Sequence, residues 1–166
     1  MFCQKLKNKM ALIQLHTEIK APAERCFLLS LSVDLHTAST GGTGERAVAG
    51  ITSGIMKMDD VVTWEAVHFG IRQKLTTKIS AYSCPGYFVS EMQEGAFKKI
   101  YHRHIFQEEA GITRMTDLFE FEAPFGILGK MAENLFLANY MKKFLVGRNQ
   151  FIKKMAEGTE WKKYLL

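Results

Sequence analysis

Between residues 11 and 20 the chain alternates one for one. Leu12, Gln14, His16 and Glu18 fall on one side, and Ile13, Leu15, Thr17 and Ile19 on the other. Alternation with period two predicts a strand with one buried face. Ala21-Pro22-Ala23-Glu24 breaks the pattern, and proline suits a first helical turn. Cys26, Phe27, Leu29 and Leu31 then fit a short helix, and residues 33–37 a second one capped near Ser32 or Asp34. Thr40-Gly41-Gly42-Thr43-Gly44 is a turn, not a phosphate loop. It lacks the Gly-Lys-Ser/Thr ending and the strand–loop–helix setting that such a loop needs. Residues 45–50 fit a strand, and residues 50–60 are irregular.

From residue 61 the chain is dense with strand patterns separated by short turns. Residues 61–69 and 73–82 form two strands around a Gly70-Ile71 turn. Trp64, Ala66 and His68 then share a face with Leu75, Thr77 and Ile79. Cys84-Pro85-Gly86 is a turn, residues 87–93 a strand, Glu94-Gly95 a turn and residues 96–107 a longer strand. Glu108 to Gly111 reverse the chain, and residues 112–123 complete an antiparallel meander of five strands.

The last hairpin carries the most informative pattern. Ile100, His102, His104 and Phe106 point to one face, joined from the partner strand by Met115, Asp117 and Phe119. Two imidazoles and a carboxylate thus stand where a core should be. A hairpin closing symmetrically around Glu109-Ala110 sets His102 opposite Asp117 and His104 opposite Met115, although a bulge at Gly111 would shift that register. Pro124-Phe125-Gly126 ends the strands. From residue 127 to about 156 there is no proline, and Leu128, Met131, Leu135, Ala138, Met141, Leu145 and Ile152 recur at helical spacing. A helix of that length runs ~40 Å at the usual rise per residue, and Gly147 weakens it by only ~1 kcal/mol relative to alanine. A meander exposes one large apolar face, and a long amphipathic helix is the element available to cover it.

Composition narrows the class. The 166 residues, with 47% hydrophobic and 23% charged content, suit one α+β domain with a substantial core. Residues 10–156 are expected to form that domain, with tails at 1–9 and 157–166. The net charge of +5 comes from 22 Lys and Arg against 17 Asp and Glu. The excess gathers at Lys5, Lys7 and Lys9 and at Lys142, Lys143, Arg148, Lys153, Lys154, Lys162 and Lys163. These are read as a solvated helix face, and no nucleic-acid partner is expected. The apolar run after Met10 is broken by Gln14, His16 and Glu18, so no leader is expected, and no run is long enough to span a membrane. Cys3, Cys26 and Cys84 have neither an even count nor metal-like spacing, which favours free thiols and a cytoplasmic setting. Monomer and homodimer both remain open.

The order of elements, and several motifs within it, resemble the helix-grip fold of the SRPBCC superfamily. That superfamily takes in START-like lipid-binding domains, the birch-pollen allergen family and the polyketide cyclases. Trp64-Glu-Ala-Val-His68-Phe69-Gly70 looks like the Trp-x-x-x-His-Phe-Gly run of its bacterial ligand-binding members. Gly95-Ala-Phe97, Tyr101-His102-Arg-His104-Ile-Phe106, Thr116-Asp117 and Pro124-Phe-Gly126-Ile-Leu-Gly129 resemble later segments in the same order. The resemblance spans residues 10 to 156. It implies a curved sheet of six or seven strands gripping the C-terminal helix, with a cavity for a lipid-, sterol- or polyketide-like molecule between them.

Three functions follow from these residues. In a binding protein, the polar end of the ligand meets His68, His102, His104 or Asp117, and its apolar body lies against Trp64, Phe88, Phe119, Leu135 and Leu145. In a cyclase or dehydratase, His102 acts as general base and Asp117 orients it. In an interaction domain the cavity is filled by side chains and the basic helix meets a partner, and the histidine–aspartate pair only pins the strands. A cavity of several hundred cubic ångströms supports either of the first two; a solid core leaves the third. His-x-His with a carboxylate also has metal-ligand geometry, but neither a metal nor a cofactor is expected. No Cys-His-Asp or dinucleotide motif is present.

Overall fold

The computed structural model describes residues 10–123 and 130–166, with the side chains of the last long helix described from residue 135 onward. The expected tail at 1–9, the Pro124–Gly129 motif, Leu128 and the Met131 side chain lie outside the described residues. Strand β1 (Ala11–Ile19) leads into helices α1 (Ala23–Leu31) and α2 (Val33–Ser39). Strands β2 (Arg46–Gly50), β3 (Val61–His68), β4 (Ile71–Ser83), β5 (Tyr87–Glu94), β6 (Lys99–Glu109) and β7 (Ile112–Glu122) follow. Helices α3 (Lys130–Glu157) and α4 (Lys162–Leu165) complete the chain. The strands form one antiparallel sheet in the order β1-β7-β6-β5-β4-β3-β2. Register shifts in the β2–β3 and β4–β5 pairs add local bends, and these help the sheet curl around α3.

Local chemistry explains the helices after β1. Pro22 is the N-cap of α1, one position before the first helical turn. Ser32 ends α1 and caps α2, its hydroxyl accepting from the Leu35 amide at 3.2 Å. Helix α1 packs on the sheet through Phe27. Its ring stands edge-on to Tyr82, Phe88 and Phe106 at centroid distances of 5.1, 5.6 and 5.6 Å. A second apolar cluster lies under α3, built from Ile13, Leu15, Ile100, Phe119, Phe121 and Leu145.

Both long hairpins turn one residue away from where the sequence pattern centred them. The β3–β4 turn is Phe69-Gly70 rather than Gly70-Ile71, and the β6–β7 turn is Ala110-Gly111 rather than Glu109-Ala110. Both residues of each turn have positive φ: 54° and 75° at Phe69 and Gly70, 50° and 77° at Ala110 and Gly111. That is the backbone of a two-residue turn matching the twist of its strands, with glycine at the second position where positive φ costs it little. Moving a turn by one residue moves the register by two, so every side chain keeps its face. Asp117 therefore stands opposite His104, not His102, and Phe119 stands opposite His102.

Residues 157–166, expected as a tail, are folded. They carry α4, and Trp161, Tyr164 and Leu165 pack on the larger core cluster, with the Arg25 guanidinium 4.5 Å from the centre of the Trp161 ring.

Candidate functional site

Asp117 is the centre of the polar cluster. It is fully buried (0% exposed). His102 Nε2 donates to its Oδ1 at 2.9 Å, and Asn149 Nδ2, reaching down from α3, donates to its Oδ2 at 2.6 Å. His104 Nδ1 also lies 2.9 Å from Oδ1. The two imidazoles lie 3.8 Å apart between centroids, and His104 stacks on Phe88 at 4.3 Å. The diagonal reach of His102 follows from the register: two residues apart on β6, both histidines face the single aspartate on β7.

Burial sets the protonation states. It lowers His104 to about 3, with repulsion from His102 adding to the effect. It also lowers His102, although the hydrogen bond and charge of Asp117 pull the other way. Burial opposes the charge on Asp117, but the imidazoles and their hydrogen bonds outweigh it and hold the carboxyl well below the usual carboxylate range. At neutral pH the cluster is one carboxylate served by neutral imidazoles. His102, donating through Nε2, keeps Nδ1 as an acceptor. The ligand atoms of His102, His104 and Asp117 lie within 4.8 Å of one another, so these three residues could hold a metal ion. As they stand, the carboxylate is committed to an imidazole and an amide instead.

A cavity of about 680 Å³ lies between the sheet and α3. Trp64, Phe88, His102, His104 and Phe119 line it from the strands, as does His68, which shares a 2.7 Å hydrogen bond with the Tyr140 hydroxyl. Leu145 lines it from α3. Asp117 is not on the wall; it sits behind the two histidines and fixes them. Leu135, expected against the ligand, is a correction: it is 69% exposed. Among the α3 residues that line the cavity, Leu137, Tyr140, Met141, Phe144, Leu145 and Arg148 form a stripe at helical spacing with Phe136 at its edge, and Leu135 belongs to the opposite face with Asn139, Lys142 and Val146.

Several polar groups on or beside the wall had no place in the sequence pattern. Arg148, counted there with the solvated basic face, is only 4% exposed, and its Nη2 donates to the Ser30 carbonyl at 3.1 Å. Glu45 is buried, with its Oε2 3.2 Å from His36 Nε2, and the His36 ring lies 4.1 Å from that of Trp64. Burial works against the Glu45 charge, but the neighbouring His36 outweighs it and holds the carboxyl below its ordinary range. One signal for Arg148 and Asn149 did exist. They fall three and four residues after Leu145 and before Ile152, within the apolar stripe of α3.

A seven-stranded antiparallel sheet wrapped on a long C-terminal helix, with a cavity between them, is the helix-grip fold of START-like proteins. Solved structures share this shape. A protein of Thermus thermophilus matches with a TM-score of 0.67 at 16% identity, covering 86% of this chain and 97% of its own. A START superfamily protein from Mycobacterium smegmatis matches at 0.64 and 14% identity, covering 88% and 97%. Ginseng major latex-like protein 151 from Panax ginseng matches at 0.65 and 16% identity, covering 90% and 99%. At such identities the likeness is one of fold. No protein-family model matches the sequence, and a search of curated proteins finds no match. Among the described residues no helix is long and apolar enough to cross a membrane.

Proposed function

We propose that the protein binds a hydrophobic or amphipathic small molecule in the cavity between sheet and α3. The observation that carries this reading is the cavity itself: about 680 Å³, within the range of small-molecule sites, with an aromatic and aliphatic wall and a few polar groups gathered toward His102, His104 and Arg148. A filled core would have favoured the interaction-domain reading, and a space of this size weighs against it. The START-like fold of the neighbours supports a cavity binder without naming its ligand. A cytoplasmic carrier of a lipid-, sterol- or polyketide-like molecule fits these features.

The test is native mass spectrometry of the purified protein, alongside a variant that fills the space. Ala66 is buried in the cavity wall, so Ala66→Phe puts a ring into the cavity. The wild type is expected to carry co-purified small molecules that the variant lacks. Equal loading of a folded Ala66→Phe protein would show that the ligand lies elsewhere.

The 2.9 Å hydrogen bond between His102 and Asp117 favours a second reading, a cyclase or dehydratase with His102 as base. Burial weakens that case, because it disfavours the protonated imidazole a base must become. Turnover of a polyketide-like substrate that His102→Ala abolishes while binding persists would establish it; no turnover in the wild type would remove it.

A further inference from the structure

Among the described residues, the cavity wall contains a buried cation with no ion-pair partner. Arg148 is 4% exposed, and its one hydrogen bond, from Nη2 to the Ser30 carbonyl, leaves Nε and Nη1 unpaired among the described residues. A buried guanidinium normally has its donors satisfied and its charge matched at close range, because desolvating an ion costs several kcal/mol. Of the two buried carboxylates whose charges reach Arg148, Asp117 accepts hydrogen bonds from His102 and Asn149, and Glu45 faces His36 at 3.2 Å. Neither forms an ion pair with it.

Resting on the cavity-binding reading above, we infer that the ligand carries a carboxylate and that Arg148 is its partner. The ligand class is then an apolar body ending in one acid group, such as a long-chain or polycyclic carboxylic acid. Charge count favours a carboxylate over a phosphate. The wall offers one guanidinium, with Glu45 also on it and Asp117 behind it, so a singly charged group is easier to admit than one carrying nearly two charges. The helix places Arg148 to do this. It shares the cavity-facing stripe of α3 with Leu145 and Met141, so an acid meeting Arg148 leaves its apolar body along that stripe, facing Phe119 and Trp64.

The experiment uses 11-(dansylamino)undecanoic acid and its methyl ester, with dansyl fluorescence as the readout. The two probes share an apolar body and differ in the charge. Wild-type protein is expected to bind the acid at least about tenfold more tightly than the ester, as a charge-assisted contact implies. Arg148→Gln should remove the preference for acid over ester, while Arg148→Lys should keep part of it. Equal affinity for acid and ester in the wild type overturns the inference and leaves cavity binding standing. A preference that survives in Arg148→Gln also overturns it. Failure of the wild type to bind either probe counts against both. The wild-type comparison can overturn the inference even if a variant does not fold.

Discussion

Replacing Asp117 tests whether the polar cluster holds the fold together. The carboxylate accepts from His102 Nε2 at 2.9 Å and from Asn149 Nδ2 at 2.6 Å, with no exposure to solvent. Asp117→Ala strands both donors in a dry site and cuts the tie between α3 and β7. Hydrogen bonds to a charged group contribute about 1.5–3 kcal/mol each, and breaking one side of a buried charged network costs about 3–5 kcal/mol in total. Asp117→Asn should cost less, about 1–3 kcal/mol. It keeps one acceptor for His102, and the Asn149 Oδ1, which now lacks a partner, can accept from the new amide if the Asn149 side chain turns over. The assay is equilibrium urea unfolding followed by tryptophan fluorescence, with the midpoint and slope fitted separately. The expected order is wild type, then Asn, then Ala. An Ala variant within about 1 kcal/mol of wild type would refute the claim that this network anchors the helix to the sheet.

Other outcomes are equally specific. His104 falls from an ordinary 6.5 to about 3 on folding, so below pH 6.5 the unfolded chain takes up its proton first. Native stability is full above that pH and declines toward pH 3 by roughly 1 kcal/mol per pH unit from this residue; Asp117, whose pKa is lowered on folding, adds a further loss below about 3.8. Thermal unfolding should therefore fall less steeply between pH 6 and 4 in His104→Gln than in wild type, and parallel curves would contradict the assignment. Phe27→Ala should cost about 3–5 kcal/mol, since the ring is fully buried among three aromatic partners; a loss under about 1.5 kcal/mol in urea unfolding would mean that this end of the core collapses around the gap. Leu135→Ser should stay within about 0.5 kcal/mol of wild type, whereas Leu145→Ala, on the buried face of α3, should lose about 2–5 kcal/mol. Similar losses in the two would contradict the orientation of α3.

Much of the sheet was legible because side-chain period is a local property. The strand faces carrying Trp64, His68, His102, His104 and Asp117 were correct even though both hairpin turns lay one residue away from their predicted centres. A turn displaced by one residue shifts pairing by two and preserves every face. What that displacement changed was which residue stands opposite Asp117. The helix was legible as a helix, but its wall-facing stripe was not. Leu135 was assigned inward because it is apolar, and Arg148 outward because it is charged. Composition decides such cases only on average; the tilt of the helix on β1, α1 and α2 decides them here.

Taken alone, the sequence determined most of the elements, their order and the shared faces of the two long hairpins, because those follow from periodicity, turn residues and the need to cover one apolar sheet face; the helix-grip architecture was what its resemblance to a known family implied. Only the tertiary structure decided that a cavity remains under the helix, that Asn149 completes the Asp117 network, and that Arg148 and Glu45 belong to the site. Those residues come from elements far along the chain from the hairpin, and nothing local to α3 or to the turn before β2 specifies what lies across the core. Proximity of that kind is set by how the sheet curls and where the helix lands on it.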